Sequence, residues 1–179
     1  QNACRVPGSQ WPAFVRKVYT DTITLPVACA DWRVEWSLCC RNGGITNIAN
    51  ASGDNLYLEA GINNVAKWNN STPRFYIAPI PYLCISQPSF FLNGPLDPDN
   101  DSIVTTNVQP QTAYMTFCNY AGGYSLANPI GSTSTPAYDV NPNTGTASFT
   151  PGTIGKFVLA FECADYDRTS GVRLSYVRR

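Results

Sequence analysis

The chain has 179 residues, with 12 Lys plus Arg balanced by 12 Asp plus Glu, a length that suits one domain or two small ones. A net charge of zero cannot neutralise a row of phosphates, which argues against nucleic acid as a partner, and the absence of histidine excludes imidazole bases, Ser/His triads and His-liganded metals. Charged residues are 13% of the chain, but 44% hydrophobic content with 4 Trp, 10 Tyr and 8 Phe is enough to fill a core, so a folded, turn-rich module is expected.

Helical periodicity is nearly absent, because Gly, Pro or Asn interrupts every Ala-containing run before it sustains a few turns. Strand alternation takes its place. From Val15 to Leu25, the residues Tyr19, Ile23 and Leu25 share one parity with polar residues between them, which predicts a strand closed by Pro26. Trp32, Val34, Trp36 and Leu38 then alternate with Arg33, Glu35 and Ser37, which predicts a half-buried strand ended by the turn Asn42-Gly43-Gly44. Asn55 to Ala60 reads as the next strand, with Asn63 and Asn64 at its far end.

Residues 1–72 therefore read as a small all-strand unit stapled by Cys4, Cys29, Cys39 and Cys40, in a pattern that spacing does not specify. Adjacent Cys39 and Cys40 point to opposite faces if they lie in a strand, so they are expected to have different partners, or one is buried and free. Seven cysteines favour an oxidising, extracellular compartment. Close Cys-x-x-Cys pairs are missing, which disfavours zinc. No stretch approaches 18 apolar residues, so membrane insertion is not expected. The start at Gln1 suggests a mature N-terminus or a fragment of a longer secreted protein. Sequons at Asn50, Asn69, Asn70 and Asn100 matter only in a host that N-glycosylates.

The polar stretch from Ala66 to Pro73 is the expected boundary, and residues 73–179 form the second unit. Its predicted strands cover Phe75 to Ile77, Tyr82 to Ile85, Ser89 to Leu92, Ile103 to Val108, Ala113 to Phe117, Ala147 to Phe149, Lys156 to Cys163 and Val172 to Val177. Short strands separated by turn signals read as an antiparallel β-sandwich, with Pro79-Ile80-Pro81 marking an edge.

The strongest chemical signal is Leu96-Asp97-Pro98-Asp99-Asn100-Asp101-Ser102, with carboxylates at alternate positions of a turn. Calcium takes six to eight oxygens, and such a loop supplies several at once. The competing reading is a solvated turn whose side chains bond their own backbone. A second acidic group, Glu162, Asp165 and Asp167, ends a late strand. Asp165 is the candidate to complete a cage with Asp97, Asp99 and Asp101. Alternatively, Asp165 and Asp167 pair with Arg168 and Arg173 at the surface, where pairing contributes little. Asp139 belongs to the turn sequence Asp139-Val140-Asn141-Pro142-Asn143-Thr144-Gly145 and reads as a turn-former. Ser125 has no activating partner, and the glutamates Glu35, Glu59 and Glu162 define no acid/base pair for glycoside hydrolysis, so no enzyme is expected. Trp11, Trp68, Tyr120 and Tyr124, if exposed, would suit stacking on sugar rings, which makes a polysaccharide-binding module the alternative function.

Several blocks resemble, in order, repeated segments of the very large gliding-motility cell-surface adhesins of Bacteroidetes. They include Cys39-Cys40-Arg41-Asn42 with Ile45-Thr46-Asn47-Ile48, Ser71-Thr72-Pro73-Arg74-Phe75, Pro81-Tyr82-Leu83-Cys84, Tyr124 to Ile130, Gly155-Lys156-Phe157-Val158 and Asp165-Tyr166-Asp167-Arg168. The resemblance implies a secreted segment exported by the type IX route and carried on the cell surface, with neighbouring repeats of the same polypeptide and an extracellular polysaccharide or solid surface as partners. The second unit also resembles immunoglobulin-like and cadherin-like modules whose Asp-x-Asp-x-Asp loops bind calcium, which implies Asp97, Asp99 and Asp101 as ligands with Asp165 near a late acidic position. Asn100 stands where such loops often have Gly, and Cys118 and Cys163 are not part of that pattern.

Overall fold

The computed structural model describes residues 17–79, 82–132 and 136–179. The candidates Cys4, Trp11, Val15 and Arg16, and Ile80 and Pro81 of the edge signal, lie outside them. Every regular element among the described residues is a β-strand: β1 (Trp32–Leu38), β2 (Leu56–Ile62), β3 (Arg74–Phe75), β4 (Ser89–Phe91), β5 (Pro95–Leu96), β6 (Ser102–Val108), β7 (Gln111–Ala113), β8 (Thr116–Phe117), β9 (Asp139–Val140), β10 (Ala147–Phe149), β11 (Ala160–Tyr166) and β12 (Arg173–Arg178). No helix among them is long and apolar enough to cross a membrane. The all-β expectation holds.

The long strands form one antiparallel sheet in the order β1-β2-β12-β11-β6. Ser175 lies opposite Ile62 and Val177 opposite Ala60, so strands from both sides of residue 72 share this sheet. Smaller antiparallel sheets are β4-β10-β9, β3-β5 and β7-β8. Two antiparallel layers, the long sheet and β4-β10-β9, meet through one apolar cluster, an arrangement consistent with a β-sandwich although the sheets are not closed.

Directly opposed residues share a face of a sheet, so the register assigns both faces. One face carries Val34 and Trp36 of β1, Leu58 and Ala60 of β2, Val177 of β12, and Phe161 and Cys163 of β11. At its β11 end this face is the core. Phe161 packs with Phe91, Ile130, Ala147 and Phe149, all buried, and the Phe91 and Phe161 rings meet with centroids 5.9 Å apart. Burial of each such ring contributes roughly 1.5–3 kcal/mol.

At its β1 end the same face is open. Val34 is 51% and Leu38 55% exposed. The alternation in β1 therefore predicts the strand correctly but not half-burial on its apolar face, because the β4-β10-β9 layer covers only the β11 end of that face and no described segment covers the β1 end. A second mismatch precedes it. Residues 17–26 form no strand, and Tyr19 and Ile23 are 75% and 66% exposed.

The opposite face holds a charged network. Glu59 is buried and accepts from Tyr57 Oη at 2.9 Å and from Tyr176 Oη at 3.2 Å. Arg178 bridges it to Glu162, with 2.6 Å to each carboxylate, while Arg173 reaches Glu162 at 2.8 Å. The Arg33 guanidinium stacks 3.7 Å from the Tyr114 ring centroid. Glu59 and Glu162 are thus both held by arginines.

Several strand limits differ from expectation. Residues 111–117 form a hairpin of β7 and β8 that turns through Met115 at a φ of 54°, in place of one strand over 113–117. Leu83, Cys84 and Ile85 are in no strand. β11 begins at Ala160, four residues after the expected start at Lys156. Val158 is instead bonded through its N–H to Oδ1 of the fully buried Asn47, whose Nδ2 donates to the carbonyls of Pro129 and Val158, all at 2.8–2.9 Å.

The cysteine scheme is also corrected. The sulfurs of Cys39 and Cys40 lie in close contact with each other, compatible with a disulfide, where the sequence suggested separate partners, and Cys29, Cys84, Cys118 and Cys163 are free thiols. Two of these, Cys118 and Cys163, are buried and pack as small apolar groups.

Candidate metal centre

The acidic loop joins β5 to β6, strands that belong to different sheets, through a turn between Leu96 and Ser102. Asp97 organises that turn. Its Oδ1 accepts from the N–H of Asp99 at 3.0 Å and of Asp101 at 2.8 Å, the local side-chain-to-backbone pattern for which Asp is favoured in turns. Asn100 takes the left-handed conformation with a φ of 62°, one that Asn tolerates better than other non-glycine residues. Its carbonyl accepts from Arg168 Nε at 2.7 Å.

The self-bonded turn is therefore present, and it also gathers three carboxylates. Each of Asp97, Asp99 and Asp101 offers an oxygen, and these lie within 4.8 Å of one another. Oxygens on opposite sides of a calcium ion stand about 4.6–5.2 Å apart, twice the usual bond length, so the spacing fits one ion between them. Asp97 is 7% exposed, and its Oδ2 is buried without a hydrogen-bond partner. An unpaired buried carboxylate oxygen costs free energy unless a proton or a cation meets it. Burial pushes the Asp97 carboxyl above its ordinary range, and the nearby carboxylates of Asp165 and Asp101 push the same way against the two backbone N–H donors.

Asp165 sits behind the loop on β11, fully buried. One of its oxygens accepts from Ser175 Oγ and the other from Asn70 Nδ2 at 2.7 Å. Both oxygens are engaged, so Asp165 acts on the loop through its charge and is not grouped with the three loop carboxylates. The alternative ion pairs with Arg168 and Arg173 are not made: Arg173 goes to Glu162, and Asp167 instead accepts from the N–H groups of Thr169 and Ser170.

Sequence reasoning missed the partners contributed by the polar segment before β3. Lys67 Nζ lies 2.8 Å from Asp101 Oδ2, and the hydrogen bond to Asp101 holds the ammonium above its ordinary range. Ser71 donates its N–H to Asp99 Oδ2 at 2.5 Å. Asn70 reaches Asp165, and its own Oδ1 is buried without a partner. Polar composition marked this segment as a boundary, but nothing in its spacing signals contacts across 28 to 95 residues of sequence.

Tyr120, one of the aromatic candidates for sugar stacking, packs against the cluster of Ile48, Ala51 and Cys118, and Tyr124 packs on Phe157 with centroids 5.8 Å apart. Trp68 is 86% exposed. The chain matches no protein-family model, no curated protein and no solved structure.

Proposed function

We propose that this chain is a non-enzymatic structural and adhesive segment of a large secreted cell-surface protein, stiffened by calcium held at Asp97, Asp99 and Asp101. The observation that carries the calcium reading is the buried, partnerless Oδ2 of Asp97 beside two further carboxylates. The same loop is where residues 67–71 are fastened to the long sheet, so a cation there tightens a junction between chain segments distant in sequence. That is a mechanical role, and it suits a spacer in a surface filament. The family resemblance supplies the rest of the proposal: an immunoglobulin-like or cadherin-like module, export by the type IX route, gliding motility or surface attachment, and neighbouring repeats of the same polypeptide as partners.

Thermal unfolding with calcium and with a chelator tests this reading. Ligand at a hundred times its dissociation constant stabilises by about 2.7 kcal/mol, which raises Tm by roughly 5–10 °C in a chain of this size. Asp99→Asn is expected to abolish that rise. An unchanged Tm in both buffers would remove calcium and leave the scaffold.

Exposed Trp68 favours a second reading, a polysaccharide-binding module in which the indole stacks on a sugar ring. Saturable glycan binding lost in Trp68→Ala would favour it.

A further inference from the structure

The open end of the long sheet and the strand-like segment before it are complementary, and we propose that residues 17–25 of one copy of this chain add as an antiparallel strand to the free edge of β1 in a second copy. This inference does not rest on the calcium reading.

β1 is the end strand of the long sheet. One side of its backbone has no strand partner among the described residues, and such an edge is a template for strand addition. Beside that edge the core-side face is apolar and uncovered, with Val34, Trp36 and Leu38 all exposed. A sheet that keeps its hydrophobic face in water lacks a cover.

Residues 17–25 have the converse deficiency. Tyr19, Ile23 and Leu25 share one parity, with Thr20, Thr22 and Thr24 on the other, which is the pattern of a strand with one buried face. Yet they form no strand, and all three of those apolar residues are exposed. The segment does not fold back along its own β1. Cys29 and Asn64 bond to each other, two residues past the end of β2, and Val27 O accepts from Trp32 Nε1 at 3.2 Å. The chain therefore enters β1 from beyond the end of the β1–β2 ladder.

Register makes the match specific. An antiparallel pairing that sets Leu25 opposite Val34 and Ile23 opposite Trp36 extends the apolar face. It places Thr24 beside Glu35 and Thr22 beside Ser37 on the polar face, and Asp21 falls at Leu38, at the end of the ladder. A slip by one residue would set threonines against Trp36 and Val34 and turn the apolar residues away. The contact is heterologous, arm to edge, so each copy offers one of each and copies join head to tail. A strand addition of this length covers on the order of 1,000 Å² in total, the lower bound for a specific interface, so association depends on concentration.

Light scattering after size-exclusion chromatography of the full chain tests the proposal. Mean mass is expected to rise above the 19.5 kDa of the monomer as concentration increases. Ile23→Lys removes the arm and Val34→Lys the edge, and each variant alone is expected to stay monomeric. Mixed, they are expected to give a one-to-one dimer, because Ile23→Lys keeps its edge and Val34→Lys keeps its arm. A wild-type chain that stays monomeric, variants that still associate, or a mixture that does not pair would each overturn the proposal. Should either variant lose its β-sheet circular dichroism, a synthetic peptide of residues 17–26 added to wild type decides the matter. A fall in mean mass supports strand addition, and no change overturns it.

Discussion

Asn70 donates its amide to the buried carboxylate of Asp165 at 2.7 Å, across 95 residues of sequence. With Ser175 on the other carboxylate oxygen, this contact satisfies a buried carboxylate that forms no ion pair with an arginine or lysine among the described residues and ties the segment before β3 to β11 of the long sheet.

Replacing Asn70 with Ala removes that donor and leaves a buried charged oxygen unpaired, which costs about 1–3 kcal/mol or more. Urea unfolding is expected to show a lower midpoint with an unchanged slope. Asn70→Asp is expected to be worse, because it sets a second carboxylate against Asp165. A midpoint equal to wild type in Asn70→Ala would mean that the bond contributes nothing.

The Asp97 carboxyl has its pKa raised by burial, and the sign of its effect on stability follows. In metal-free protein the group contributes stability below its unfolded pKa, and that contribution is lost as pH rises through the folded value. Calcium binds the ionised form, so the gain in Tm from calcium is expected to be larger at about pH 7 than at about pH 4. In Asp97→Asn the difference between the two pH values is expected to shrink. A calcium gain independent of pH would exclude Asp97 as a ligand.

Thiol chemistry separates the free cysteines. Cys84 is exposed and is expected to react with a maleimide or iodoacetamide in the native state. Burial pushes the Cys163 thiol up to about 11, and Cys118 is raised for the same reason, so both are expected to react only on unfolding. Mass spectrometry of native and denatured labelling reads this directly. Native labelling of Cys163 at a rate like that of Cys84 would contradict the packing of β11.

What the sequence disclosed and what it hid divide along the range of the interactions. The acidic loop was legible because Asp97 bonds its own turn, within four residues. Strands β1, β2, β6 and β12 were legible because alternation and turn signals are local patterns. The partners of the loop, Lys67, Asn70 and Ser71, were not, because their contacts join distant segments. Burial of β1 was misread for a related reason: alternation shows which residues share a face, but only the placement of the β4-β10-β9 layer decides whether that face is covered. Residues 17–25 carry the same periodic signal as β1, and without a neighbouring strand in the chain it produces no ladder.

One consequence of the strand order concerns the sequence of events in folding. β12, which follows every other described strand in sequence, occupies the middle of the long sheet, with β2 on one side and β11 on the other. As the polypeptide is synthesised, the β1–β2 and β6–β11 pairs can form early, yet they remain two separate ribbons until Arg173–Arg178 arrives to bridge them. The sheet is thus assembled by a closing wedge. A nascent chain keeps the two ribbons apart until residues 173–178 are free to insert between them.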